Sequence, residues 1–382
     1  MDSPNDPRTP LLGLDAAQMR REGPLRDLPP FRSRQVARWL YAKGETRFAA
    51  MTDIARPLRE TLDRHYTLEP DPVVTLRRAE GDEACKFLLR LEDGQLIETV
   101  LIETPNRRTI CLSSQVGCAF GCTFCATARM GPGRNLTPRE ILSQLLVARR
   151  EMRHRGLADA HNVVFMGMGE PLSNLDHLLA SLRLMQDPHG LAIGWRRITV
   201  STVGLEPQIR KLADSDVQVR LAFSLSATTD EVRSALMPVN RKYPFRKVFA
   251  ALQEYQRKKR IRTTLEYVLL RDVNDSAEDA RRLAAFAREL RCKINLIVYN
   301  PHPAAPYQPS EPQAIERFVR VVYPIAPTVT LRYSKGRDIL AACGQLSTRW
   351  QERTRGSSRE WNDEKEPPIP CQGSRTCPAP GE

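Results

Sequence analysis

Beyond residue 108 short apolar runs alternate with amphipathic stretches. The runs occupy 109–112, 162–166, 198–202, 217–225, 263–270 and 294–299. Each has the length of a strand and is rich in Val, Ile, Leu and Thr. Between them, 139–153, 245–258 and 277–290 bring an apolar residue round every three or four positions, as one face of a helix does. Strand then helix, repeated six times, predicts an α/β protein with a parallel sheet, either doubly wound or curled into a partial barrel of the TIM type. No GxGxxG follows the first strand, which counts against a dinucleotide fold. Upstream the pattern changes: 15–21, 33–41 and 54–65 read as helices broken by Pro29, Pro30 and Gly44. Around Asp93-Gly94, a strong hairpin turn, residues 86–102 read as short strands. The expected organisation is a helical module over 1–68, a β-hairpin connector over 69–104, the α/β domain over 105–348, and a polar, Pro-rich, disordered tail over 349–382.

Composition narrows the setting. The 382 residues are 41% hydrophobic and 27% charged, as in a soluble globular protein, and no apolar run approaches the ~18 residues of a membrane span. The first fifteen residues lack a basic region followed by an apolar one, so no secretory signal is expected, and the compartment expected is the cytoplasm, with reduced thiols. Nine cysteines, an odd number, do not suggest a disulfide framework. The formal net charge is +13, and basic residues crowd into 105–160 and 241–262. A polyanion is the natural partner of such runs, nucleic acid first.

The chemistry gathers in Cys111-Leu-Ser-Ser-Gln-Val-Gly-Cys118-Ala-Phe-Gly-Cys122-Thr-Phe-Cys125. Three thiolates on one short loop can hold three irons of a 4Fe-4S cluster and leave the fourth iron open to a ligand. The competing reading is a structural zinc site with Cys111 as fourth ligand. Position favours iron, because the motif opens the first β/α loop, where such folds carry chemistry. Cys85 and Cys292 have no motif around them and read as buried, inert thiols. Cys371 and Cys377, in the tail, read as inert rather than as metal ligands.

The CxxxCxxC after the first strand resembles the radical S-adenosylmethionine superfamily, and Gly167-Met168-Gly169-Glu170-Pro171 at the end of the second strand is similar to its GGEP-type motif. That resemblance implies a partial (β/α)6 barrel. It also implies one 4Fe-4S cluster held by Cys118, Cys122 and Cys125, with S-adenosylmethionine on the open iron. Further segments, Cys111 to Cys118, Phe165 to Pro171, and Asp338-Ile-Leu-Ala-Ala-Cys343-Gly-Gln-Leu346, together with 31–36 and 51–54, resemble the RlmN/Cfr family of RNA adenine methyltransferases. The similarity spans about 10–348 and is closer to the RlmN branch. It implies methylation of carbon 2 of one adenosine in 23S ribosomal RNA and, in some members, of an adenosine beside a tRNA anticodon.

Roles carried over residue by residue are implied by this resemblance alone. Cys343 would carry the methyl group taken from one cofactor molecule. A second molecule, cleaved to a 5′-deoxyadenosyl radical, would take hydrogen from that methyl, and the methylene would bridge protein and RNA. Glu98 would then remove the carbon-2 proton, and Cys111 would attack the bridge and leave a transient disulfide with Cys343. Gly169, Glu170, Ser201, Ser224, Leu225, Ser226 and Asn300 take the cofactor positions, with Ser226 standing where the family usually has histidine. The resemblance further implies a monomer, an electron donor such as flavodoxin or ferredoxin, and an adenosine unstacked from its helix. Two alternatives stand beside this reading: a Cfr-like carbon-8 methyltransferase, and a non-enzymatic iron-sulfur or zinc RNA-binding paralogue.

Overall fold

In a computed structural model, described for residues 7–348 except 161, 304 and 327, the alternating runs build one ten-stranded sheet whose spatial order follows the chain. Its strands are β1 (Val73–Arg78), β2 (Ala84–Arg90), β3 (Leu96–Thr104), β4 (Arg107–Cys111), β5 (Asn162–Phe165), β6 (Ile198–Thr202), β7 (Arg220–Ser224), β8 (Thr264–Leu269), β9 (Lys293–Val298) and β10 (Val329–Arg332). From β1 to β4 neighbours are antiparallel. From β4 to β10 they are parallel, which gives six crossovers. Cys111 at the end of β4 and Arg332 at the end of β10 line one cavity although six pairings separate their strands. The parallel half therefore curls towards closure, as a partial barrel does.

Before the sheet come α1 (Pro30–Ala37) and α2 (Arg56–His65). The crossovers carry α3 (Pro138–His154), α4 (Leu175–Gln186), α5 (Glu206–Asp214), α6 (Asp230–Leu236), α7 (Phe245–Lys259), α8 (Ala277–Leu290) and α9 (Pro312–Val322). Local chemistry sets several of these starts. Thr137 and Glu140 form a reciprocal capping box at α3, and Pro138 takes the first helical position, where its missing N–H costs nothing. Parallel strands covered on both faces need apolar side chains in both directions, and Leu221, Ala222 and Phe223 of β7 are all fully buried. Helices α7 and α8 seal one flank with Phe245, Phe249 and Phe286, whose rings lie 5.3–5.4 Å apart.

Two expectations need correction. Residues 15–21 form only a 3-10 turn, Gln18–Arg20, because Asp15 bonds the backbone of Ala17 and Gln18 instead of starting a longer helix. The Asp93-Gly94 turn does join β2 to β3, but the expected hairpin is part of a three-stranded extension that includes β1 and continues the barrel sheet.

The first basic run is largely used inside the molecule. Arg149 and Arg153 of α3 donate to the carbonyls of Tyr41 and Lys43, and Arg150 reaches Glu69, tying the amino-terminal module to the barrel. Arg134 pairs with Asp93 and Glu140, and Arg139 with Asp71. The tail, with Cys371 and Cys377, lies outside the described residues, whose helices include none long and apolar enough to cross a membrane.

Candidate active site

The loop after β4 first runs beside β5, with Leu112 N–H on the Val164 carbonyl at 2.8 Å and Gly167 N–H on Leu112 at 3.0 Å. It then turns where two glycines pass backbone to backbone; a Cβ on Gly117 would stand 2.5 Å from the Gly131 carbonyl oxygen. Beyond that crossing lie Cys118, Cys122 and Cys125, the last just before the helical turn Ala126–Arg129. Thr123 N–H donates to the Leu236 carbonyl at the end of α6, and His302 meets the Phe124 carbonyl at 3.0 Å. Ala126 N–H donates to Gly344 at 2.7 Å and the Thr127 hydroxyl to Leu346 at 2.7 Å. The thiol loop is thus braced by α6 on one side and by the carboxy-terminal segment on the other.

Cys122 is within electrostatic reach of both Cys118 and Cys125. Burial pushes the Cys118 thiol up to about 12 and raises the other two as well. Three thiols raised in this way, one buried and two half-buried, become thiolates most readily with a cation to compensate them, so the donor set fits an iron-sulfur cluster held at three corners. Cys111 faces Cys343 and Arg332, not the three loop thiols, and among the described residues no three metal-ligating side chains converge as a single ion requires. The single zinc site with Cys111 as fourth ligand is not assembled.

On the side of β5 and β6, Gly169 has φ +92°, and a Cβ there would stand 2.5 Å from Gln115 Cβ. Only glycine fits the bend that sends Glu170 inward. The Glu170 carboxylate accepts from Leu172 N–H at 3.2 Å and Val203 N–H at 2.9 Å, and its own N–H donates to Gln115 Oε1 at 2.8 Å. Burial lifts this carboxyl to about 7, offset in part by those donors. Ser201 of β6 bonds the Phe165 carbonyl at 2.7 Å. At the end of β7, the carbonyls of Ser224 and Leu225 accept from the fully buried Arg233, which also holds Val203 and Asn240. Ser226 has a left-handed backbone (φ +50°), and its carbonyl accepts from Asn274 at 2.7 Å. Asn300, after β9, donates to Ser334 Oγ and to the Cys343 carbonyl at 3.2 Å.

Across the mouth, Cys111 and Cys343 line one cavity of about 10 Å³ with Met166, Arg332 and Leu346, room for about one water. Burial pushes Cys111 up to about 12. Glu98 on β3 is fully buried; Lys86 Nζ on β2 lies 3.0 Å from its Oε1, and Ser347 N–H donates to Oε2 at 2.9 Å. The structure therefore gathers expected residues in two groups, one around Glu170 and one around the Cys111–Cys343 cavity; Glu98 does not line that cavity but, like Asn300, is bonded to the segment that carries Cys343. Cys85 and Cys292 are buried thiols apart from both.

Sequence reasoning missed Lys86, Arg233, Arg332 and Gln115. A lysine inside an otherwise apolar strand, Ala84-Cys-Lys86-Phe-Leu-Leu, was the one signal available, because buried lysine is rare unless paired. The other three act through backbone carbonyls or across strands distant in sequence.

Known proteins resemble this chain along most of its length. The model of the radical SAM superfamily matches residues 112–284, and that of the ribosomal RNA large subunit methyltransferase N-terminal domain matches residues 9–68. The dual-specificity RNA methyltransferase RlmN of Geobacter sulfurreducens is 45% identical over 83% of this chain and 86% of its own. The RlmN of an Anaeromyxobacter species is 43% identical over 91% of this chain and 94% of its own. A crystal structure of a radical SAM methyltransferase from Sphaerobacter thermophilus superposes with a TM-score of 0.84 at 42% identity, covering 88% of this chain and 99% of that one.

Proposed function

Since the chain belongs to the RlmN family of radical SAM RNA methyltransferases, we propose that it methylates carbon 2 of an adenosine in 23S ribosomal RNA and of an adenosine beside the anticodon of some tRNAs. The observation that carries this reading is the cavity shared by Cys111 and Cys343, two free thiols far apart in sequence.

Cys118, Cys122 and Cys125 would hold one 4Fe-4S cluster, and Glu170, Ser201, the 224–226 backbone and Asn300 would surround S-adenosylmethionine. Bound there, the two groups supply an electrophilic methyl and a hydrogen-abstracting radical, with two cofactor molecules used per turnover. Glu170, with no ion pair among the described residues, suits the cofactor's ammonium group. Arg233 fixes the Ser224 and Leu225 carbonyls, so a contact made through backbone tolerates serine at 226.

Carbon 2 of adenine is electron-poor and does not attack a sulfonium as a nitrogen would, so the methyl has to travel by way of a protein sulfur. Cys343 takes that place, held by Asn300 through its carbonyl. Glu98 would accept the carbon-2 proton as the adduct returns its unpaired electron to the cluster. Cys111, as thiolate, would then attack the Cys343 sulfur, so that the S–C bond breaks, its electron pair and a proton complete the methyl group, and a disulfide remains that cellular thiols reopen. Exposed Arg241 and Lys242, which follow the α6 segment beside the thiol loop, would grip RNA phosphates around an unstacked adenosine. We place the enzyme in the cytoplasm as a monomer supplied by an electron donor such as flavodoxin or ferredoxin.

The test is anaerobic reconstitution with iron and sulfide, incubation with cofactor, reductant and ribosomal RNA or tRNA, and mass spectrometry of the digested nucleosides. 2-Methyladenosine is expected. 8-Methyladenosine would overturn the regiochemistry, and no methylated adenosine despite intact cluster absorbance would sink the enzymatic reading. The relatives reported above carry the RlmN name, and no observation in the site favours the carbon-8 reading.

A further inference from the structure

We propose that Lys86 is a positioning residue for this reaction: it holds the Glu98 carboxylate ready as a proton acceptor and ties it to the segment that carries Cys343. The inference rests on the methyltransferase reading above and on the geometry around one buried ion pair. Lys86 is 4% exposed and Glu98 not at all. The Lys86 ammonium stands 3.0 Å from Glu98 Oε1 and donates at 3.2 Å to the carbonyl of Leu340, three residues before Cys343. The other carboxylate oxygen accepts from Ser347 N–H, four residues after Cys343. Both members of the pair therefore clasp the same short segment, one on each side of the methyl carrier.

A buried ion pair is a poor device for stability alone. Desolvating two charges costs several kcal/mol per ion, and well-packed apolar side chains in the same volume serve as well or better. A proton acceptor has a different requirement, because it must be ionised while hidden from water. Glu170 and Glu266 show what burial does in this fold without an ion pair: both carboxyls are pushed up to about 7. An ammonium in contact favours the charged form of a carboxylate. Lys86 reaches the Glu98 carboxylate from β2 and Ser347 N–H reaches it from the carboxy-terminal segment, while the Glu98 backbone N–H donates to Met168 Sδ.

The experiment compares Lys86→Gln and Lys86→Arg with wild type as reconstituted holoenzymes, following product, covalent protein–RNA bridge and cluster absorbance across the neutral pH range. For Lys86→Gln, 2-methyladenosine formation should fall roughly a hundredfold, within the range lost with a general base. The bridge should persist longer with the cluster intact, because the proton acceptor is no longer held in place. Lys86→Arg, which keeps a cation in reach of Glu98 Oε1, should restore most of the wild-type rate. A Lys86→Gln enzyme with the wild-type rate, or one slowed without a longer-lived bridge, overturns the proposal. If Lys86→Gln does not accumulate, a Lys86→Arg enzyme slowed as far without a longer-lived bridge overturns it instead. The wild-type arm stands apart: 2-methyladenosine from it upholds the methyltransferase reading whatever Lys86 does, and its absence sinks that reading.

Discussion

The two sides of the barrel mouth bury a carboxylate by different means. At Glu170 the partners are backbone N–H groups, Leu172 on the same loop and Val203 at the end of the next strand, and no ion pair is present among the described residues. At Glu98 the partner is a lysine, joined by a backbone N–H from 249 residues further along the chain. Burial without a cation lifts Glu170 to about 7. The difference makes sense if each side anticipates a different companion. Where a cationic ligand is proposed to arrive, the described residues leave Glu170 without an ion pair; where a carboxylate is proposed to accept a proton from a neutral base, Lys86 supplies the cation.

The largest effects should separate the two sides completely. Cys343→Ala should abolish 2-methyladenosine while the visible absorbance of the reconstituted cluster stays at the wild-type level. Cys122→Ser should lose both, because a site of three thiols has no spare ligand. Cys111→Ala should stop at the covalent bridge, seen as a protein band that carries RNA. Loss of cluster absorbance in Cys343→Ala would break the comparison, since it would make the thiol side part of the metal site.

An intermediate effect is expected at Glu170. Its carboxyl ionises near 7 in the protein without cofactor, and only the ionised form attracts an ammonium. Cofactor affinity should therefore rise as pH passes from 6 to 8 and then level off. Glu170→Gln should bind about tenfold more weakly at pH 8, the size of one charge-assisted hydrogen bond, and its affinity should lose that pH dependence. Equilibrium dialysis on the anaerobic holoenzyme measures both. An equally steep profile in Glu170→Gln would place the titrating group elsewhere.

The side with the three loop cysteines and Glu170 was far more legible in the sequence than the Cys111–Cys343 side, and the reason is distance along the chain. Cys118, Cys122 and Cys125 sit within eight residues, and Gly169-Glu170 follows a strand whose apolar run marks its own end. Local spacing is what a single sequence displays. Cys111 and Cys343, in contrast, meet only because β4 and β10 curl towards each other. Spacing alone gave Glu98 the look of an ordinary exposed strand acid, and only the family resemblance pointed to it. The strand was read correctly, but which face would be covered by residues 336–348 is a tertiary fact. The first basic run shows a related limit: its arginines on α3 also find Glu69 and the carbonyls of Tyr41 and Lys43, which spacing does not display.

The smallest expected effect turns the comparison into one of sign. Glu266 on β8 is buried, accepts from Asn295 at 2.6 Å and has no ion pair among the described residues. Burial raises its carboxyl from 4.5 to about 7, against the opposing pull of Asn295 and Arg332. A carboxyl whose folded value lies above its unfolded one favours folding fully below the unfolded value, and that contribution is lost as pH rises through the folded one. Glutamine is neutral throughout and keeps an oxygen for Asn295. Glu266→Gln should therefore leave the melting temperature unchanged near pH 4 and raise it at pH 8, by a few degrees for about 1–3 kcal/mol in a chain of this size. Glu98→Gln makes the same chemical change beside Lys86 and strands a buried ammonium, so it should lower stability at pH 8 by about 3 kcal/mol. Thermal melts of the two variants at both pH values measure the contrast. Shifts of the same sign at pH 8 would mean that the Lys86 ammonium does not distinguish the two sites.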